Sequence, residues 1–258
     1  MRNVVSTVLF AFLIVGCQTA TPTSNDLGLK LTTFDDGHVA GHMSTTVGSV
    51  DFTVSEATPG VVEVRFDRGQ GTFGSTVDWN AMSADFVYPD DMQFTEDDKF
   101  VMTALATAAE NELAKNTRVT DNLYRQASLW GAHPVGSIVL QPIVADPTRS
   151  WTTLCSAGAC NSTAPSRGFT HSGGSTERSA PCGYHPSTEK TYTRKFGKAD
   201  TINPCLSRCG AGCDGVGTSA WTQDCGNHDI CEYWHTSDCG GELSSASDDF
   251  TFAPNCGC

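Results

Sequence analysis

Eleven of the twelve cysteines lie between Cys155 and Cys258, and the remaining one is Cys17. This asymmetry constrains the fold more than any other feature, because it marks the last part of the chain as a second region. Cysteines at this density either staple a small core or ligate metal, and the redox compartment decides which. The run Cys205-x3-Cys209-x3-Cys213 invites a metal-thiolate reading. It lacks the paired C-x2-C geometry of zinc and iron–sulfur sites. Eleven is odd, so one thiol is left over.

The compartment is indicated at the other end of the chain. Residues 1–17, MRNVVSTVLFAFLIVGC, have a short basic start, an apolar run and small residues leading to Cys17. This resembles a bacterial lipoprotein signal with Ile14-Val15-Gly16-Cys17 as the lipobox. The resemblance implies removal of residues 1–16, lipidation of Cys17 and export to the oxidising cell envelope, where disulfides are the natural reading. Gln18 stands where an aspartate would retain such a protein in the inner membrane, so the outer membrane is the expected location. Residues 17–26, small, polar and proline-interrupted, suit a flexible tether. The whole sequence carries 16 basic and 29 acidic residues, a net charge of −13. That sign argues against nucleic acid, whose phosphates need clustered Lys and Arg, and is compatible with a divalent cation.

Residues 27–150 read as a mainly-β domain with one helix. Phe52 and Val54, then Val62, Val64 and Phe66, alternate with polar residues, and Asp67 to Gly71 supply a turn before Phe73, Val77 and Trp79. Thr95, with Asp98 three residues on, caps a helix that places Met102, Leu105, Ala109 and Leu113 on one face. Glu96, Asp97 and Asp98 complement the helix dipole in its first turn. His38, His42 and His133 show no ligand spacing and read as loop or core histidines. There is no G-x-S-x-G elbow and no phosphate-binding Gly-Lys loop. Residues 151–200 read as a loop-rich linker. Its one basic-aromatic patch has Lys190, Arg194, Lys195 and Lys198 interleaved with Tyr192 and Phe196. The patch is either a lipid-headgroup contact or a solvated strand face.

Residues 201–258 carry the chemistry. Asp224 to His235 read DCGNHDICEYWH. On a helix, adjacent His228 and Asp229 point about 100° apart and serve different surroundings. Cys225 and Cys231 flank the histidine at three residues on either side, roughly 60° from it in opposite senses. Disulfides from both would clamp the helix, at about 2–4 kcal/mol each, and offset the roughly 1 kcal/mol cost of Gly226 in its interior. Upstream, Cys205 to Trp221 read CLSRCGAGCDGVGTSAW, a glycine-rich loop able to turn carbonyl oxygens inward. Asp229 would add a carboxylate, giving the oxygen shell that calcium takes.

Helix and loop together resemble the secreted phospholipase A2 superfamily, whose signature is C-C-x-x-H-D-x-C behind a glycine-rich calcium loop. Here the helix reads Asp224-Cys225-Gly226-Asn227-His228-Asp229-Ile230-Cys231 and the loop Arg208-Cys209-Gly210-Ala211-Gly212. The resemblance covers about fifty residues, from Cys205 to roughly Phe252. It implies calcium bound by the carbonyls of Arg208, Gly210 and Gly212 and the carboxylate of Asp229, with His228 as the base. It further implies disulfides joining Cys209 to Cys225 and Cys231 to Cys239. Two departures accompany it. Asp224 replaces a cysteine whose partner position, counted from Cys239, is Ala246, so both ends of that bridge are absent together. Gly240 stands where the family has the aspartate that orients the histidine, leaving Glu242, Asp248 or Asp249 to substitute.

The expected fold class is therefore α+β: an N-terminal mainly-β domain with one helix, then a small, disulfide-rich, α-helical, phospholipase A2-like domain. The enzyme reading is calcium-dependent hydrolysis of glycerophospholipid esters at a membrane surface, through water, with His228, Glu242 and Asp248 as the catalytic candidates. The alternative is a non-catalytic surface module that recognises lipid, glycan or protein. A third reading makes His228 a packed residue of a disulfide-rich domain.

Overall fold

A computed structural model describes residues 28–113, 117–145, 154, 164, 166–171, 177–179, 183–185, 190–210, 220–234 and 239–256. Cys17, the segment before it and Gly212 lie outside the described residues. The alternating apolar residues form an antiparallel sheet of seven strands in the order β1-β2-β3-β4-β5-β6-β9. These are β1 (Gly28–Phe34), β2 (His38–Thr45), β3 (Gly48–Thr58), β4 (Val61–Asp67), β5 (Thr72–Asp78), β6 (Ser83–Val87) and β9 (Ile143–Val144). Phe52 lies opposite Phe66, Val54 opposite Val64, and Phe66 opposite Phe73, so one face is continuously apolar. Gly74 keeps β4 and β5 paired at φ 154°: a Cβ there would lie 2.0 Å from the Val64 carbonyl oxygen. A short ladder joins β7 (Gln93–Phe94) to β8 (Gly136–Ser137).

The apolar face is covered by α1 (Glu96–Glu112) and α2 (Arg118–Gly131). The capping box at the start of α1 is formed: the Asp98 amide donates to Thr95 Oγ1 at 3.2 Å and the Thr95 amide to Asp98 Oδ2 at 2.7 Å. The sequence predicts one helix before residue 150, and the described residues there hold two. The second, α2, is buried from Val119 to Gly131 except at Asp121, so its polar residues do not mark a solvent face. Ser75 Oγ donates to Gln126 Oε1 at 2.8 Å, and Gln126 Nε2 donates to Thr251 Oγ1 at 3.3 Å.

The described part of the chain after residue 145 packs against α2 through its last helix. It contains β10 (Ser166–His171) paired with β13 (Lys190–Lys195), β11 (Glu177–Ser179) paired with β12 (Gly183–His185), α3 (Gln223–Trp234) and α4 (Gly240–Phe252). The main core runs from Val54 and Phe66 of the sheet through Leu105 and Leu123 to Cys225, Leu243 and Phe250. A second cluster gathers Phe169, Phe196, Leu206, Trp221 and Ile230. The stretch read as loop-rich thus holds strands, whose Thr residues and aromatics suit a pleated surface. Phe196 of the basic-aromatic patch is buried, and Arg194 is held by Asp200 at 2.6 and 2.8 Å. Among the described residues no helix is long and apolar enough to cross a membrane. The architecture is mixed: an antiparallel sheet with helices, followed by a disulfide-bonded region that holds two helices and two short strand pairs among the described residues.

Arg125 fastens the end of α4. Its Nη1 donates to the carbonyls of Phe250, Thr251 and Ala253 at 3.3, 3.3 and 3.0 Å, and its Nε to Asp121 Oδ2 at 2.6 Å. This places a cation at a helix C-terminus, where the unpaired carbonyls are. Arg125→Ala should cost about 3–5 kcal/mol, because it strips a buried charge network on one side. Chemical denaturation checks this, and a loss below about 1 kcal/mol would show that the cap is idle.

His133, just beyond α2, is completely buried. Its Nδ1 donates to the Pro134 carbonyl at 2.7 Å and its Nε2 accepts from the Val139 amide at 3.0 Å, which fixes the neutral tautomer. Burial lowers its pKa to about 4. Below the unfolded value of 6.5 the unfolded chain takes up a proton that the folded chain refuses, so stability falls from pH 6.5 down to about pH 4. That loss amounts to about 3 kcal/mol. The stability difference between the parent and His133→Gln, measured by urea unfolding, should therefore narrow as the pH falls through this window. A constant difference would contradict the neutral ring.

Candidate functional site

The site is built around α3. Thr222 caps the helix: its Oγ1 accepts from the Cys225 amide at 3.1 Å. Cys209 is bonded to Cys225, tying the glycine-bearing turn to the first turn of α3, and Cys231 is bonded to Cys239, tying its last turn to the start of α4. This is the pairing that the resemblance implies. Cys205 and Cys256 are disulfide-bonded as well.

One side of α3 faces the turn at residues 204–208. Gly226 permits the close approach, because a Cβ there would lie 2.3 Å from the Phe169 ring and 2.5 Å from Ser207 Oγ. Asp229, on the same side, accepts from the Ser207 amide at 2.7 Å. That bond secures Ser207 in the left-handed region at φ 81°, an unusual conformation for a residue with a side chain. Arg208 pairs with Trp221 in an isolated antiparallel bridge, closed by the Cys209 amide on Ala220 and the Thr222 amide on Ser207, each at 2.9 Å. Those two bonds use the carbonyls of Ala220 and Ser207, so the Arg208 carbonyl is directed away from Trp221. Burial pushes the Asp229 carboxyl well above the usual range, and the Glu232 charge adds to this. The Ser207 amide and the Arg208 guanidinium oppose it. Asp229 and Gly210 are both half-buried, and with Arg208 they are the described members of the oxygen-donor set that the resemblance implies for calcium. Gly212 falls outside the described residues.

About 100° around α3 from Asp229 is His228, 2 % exposed, with its Nε2 buried and without a hydrogen-bond partner. Its ring lies edge-on to Phe250 at 6.5 Å. Burial holds the imidazole below its ordinary pKa. Glu232 and Glu242 pull the other way as charges, as does the Ala132 carbonyl, while Lys99 adds to the lowering. The ring is therefore neutral near pH 7, the form in which it can accept a proton.

The three carboxylates of α4 have different surroundings. Glu242 is buried and acts on His228. Asp248, roughly 120° away around α4, lines a shallow cleft with Gln141, Ile143 and Ser244. Asp249 returns to the face of Glu242 two turns on, with its carboxylate within 4.8 Å of the sulfurs of Cys209 and Cys225. Those sulfurs are bonded to one another, so this trio is not a thiolate site. Gly240 backs onto Val139: a Cβ there would come within 3.3 Å of the valine side chain.

Two groups that the sequence did not single out reach this region from α1. Lys99 Nζ donates to Glu232 Oε1 at 2.7 Å, and Glu110 forms a buried ion pair with Arg208. Glu232 could have been found as the residue one helical turn beyond His228. Lys99 and Glu110 could not, since no local pattern links them to partners 133 and 98 residues away.

Comparison with known proteins bears on the same region. No curated protein and no solved structure is significantly similar to the chain. Residues 175–258 match a family model described as "Domain of unknown function (DUF8213)".

Proposed function

We propose that the chain hydrolyses ester bonds of glycerophospholipids in a calcium-dependent reaction, with His228 taking a proton from the attacking water. The observation that carries this reading is the state of His228. It is a buried, neutral imidazole whose Nε2 has no partner, on a helix fixed at both ends by disulfides. An unsatisfied buried ring nitrogen costs free energy and calls for a reason, and proton transfer at Nε2 is one. Glu232 and Glu242 favour the imidazolium that results, and the ring returns the proton to the departing alcohol. Asp229 and the carbonyls of Arg208, Gly210 and Gly212 would hold calcium. Bound there, it would polarise the ester carbonyl and stabilise the oxyanion.

The second reading, a non-catalytic module that recognises lipid, glycan or protein, is favoured by one specific observation. Gly240 replaces the orienting aspartate of the phospholipase A2 superfamily, and Val139 packs where such a side chain would start. In both readings we place the protein at a bacterial membrane surface through lipidated Cys17, with the outer membrane as its location.

Changing the adjacent pair one residue at a time separates catalysis from structure. Asp229→Asn should weaken calcium binding while an amide oxygen still accepts from Ser207. His228→Gln should keep calcium binding and lower hydrolysis by about 100-fold or more, since an amide cannot take a proton. Calcium titration, thermal melting and fatty-acid release from mixed phospholipid vesicles, run on parent and variants, test this. A parent protein that binds calcium but releases no fatty acid would leave the binding module. For the anchor, Cys17→Ser should move the protein from the membrane fraction to the soluble fraction, and unchanged partition would rule out lipidation.

A further inference from the structure

The half of the chain before residue 150 plays no part in the chemistry described so far, yet it supplies much of the wall around His228. Glu232 lies four residues after His228 on α3, so the two side chains share a face. The Glu232 carboxylate is held by Lys99 of α1 at 2.7 Å. The Ala132 carbonyl, at the C-cap of α2, faces the ring. The loop after Ala132 is tied down by the two hydrogen bonds of His133, one of them from Val139, and Val139 in turn packs on Gly240 at the start of α4. Farther along α1, Glu110 grips Arg208. Lys99 and Glu110 are eleven residues apart, which puts them within about 20° on the helix and about 16 Å apart along it. A single helix thus spans from the histidine helix to the turn that carries Arg208.

We propose that α1 and the end of α2 are a built-in part of the histidine site, with Lys99 as a positioning residue that holds the Glu232 carboxylate on the face of α3 that carries His228. The catalytic consequence rests on the hydrolase reading above, but the positioning does not. A pair whose side chains are 24 % and 39 % exposed adds little to stability. Its removal should therefore disturb the histidine without melting the protein, whereas a merely structural pair would do the opposite or nothing.

The full chain is compared with Lys99→Met, Lys99→Arg, Glu232→Gln and, as a control, Arg118→Met, which breaks an exposed pair with Glu56 elsewhere. The first readout is the 15N-resolved imidazole spectrum of His228, assigned by its loss in His228→Gln. The second is the melting temperature, and the third is kcat and KM on phospholipid vesicles. Lys99→Met and Glu232→Gln should both move the His228 ring signals while melting close to the control, and Lys99→Arg should restore them. If the chain is a hydrolase, kcat should fall by about tenfold in the first two with KM unchanged. Unmoved His228 signals in Lys99→Met and Glu232→Gln overturn the proposal. Should Lys99→Met fail to fold, Glu232→Gln, which keeps side-chain shape, decides alone. Moved signals in a parent protein that releases no fatty acid uphold the positioning and remove the hydrolase reading. Unmoved signals in an active enzyme do the reverse.

Discussion

A helix buried nearly all the way round must satisfy its polar side chains from within the protein, and α2 imposes that requirement on everything packed against it. The sheet answers with Ser75, and the end of α4 answers with Thr251 and the carbonyls that Arg125 collects. Neither half can be withdrawn without stranding groups of the other. The apolar counterpart is a core in which Val64 and Phe66 of β4 belong to the same cluster as Cys225 and Phe250. Sheet, middle helices and disulfide-bonded helices are therefore layers of one packed body rather than beads on a chain.

Within that body, the adjacency of His228 and Asp229 becomes useful. Neighbours on a helix point about 100° apart, so His228 and Asp229 reach different surroundings from one stretch of α3. Gly226 and Asp229 address the turn with strained Ser207, and His228 and Glu232 address α1, α4 and the end of α2. The two disulfides fix the rotation of α3 between these surroundings, which a short helix with Gly226 in its interior would not hold unaided.

Much of the sheet was readable because β3 and β4 have one wet face and one dry face, which gives a clean alternation. The start of α1 was readable because a capping box is a local signal, complete within four residues. α2 carries a helical apolar stripe that the sequence reading passed over, and what no local pattern could reveal is that its polar face, with Asn122, Arg125, Gln126 and Ser128, is buried as well. The strands between residues 166 and 195 escaped because Ser and Thr serve loops and edge strands equally well. At the site, the pinned histidine could be anticipated from cysteine spacing. Lys99, Glu110 and Ala132 could not, since tertiary packing alone brings them to α3.

The second core cluster has a consequence for what counts as a unit of this protein. The family match begins at residue 175, yet Phe169, on β10, lies against Gly226 of α3, and β10 pairs along its length with β13 inside the match. Leu154 and Ala164, earlier still, belong to the same cluster as Ile230. A gene fragment cut at the family boundary would lose one wall of the histidine helix and half of a strand pair. It would also lose the whole layer that caps α4. The border of the family match and the border of the packed cluster around α3 thus fall at different places in the chain.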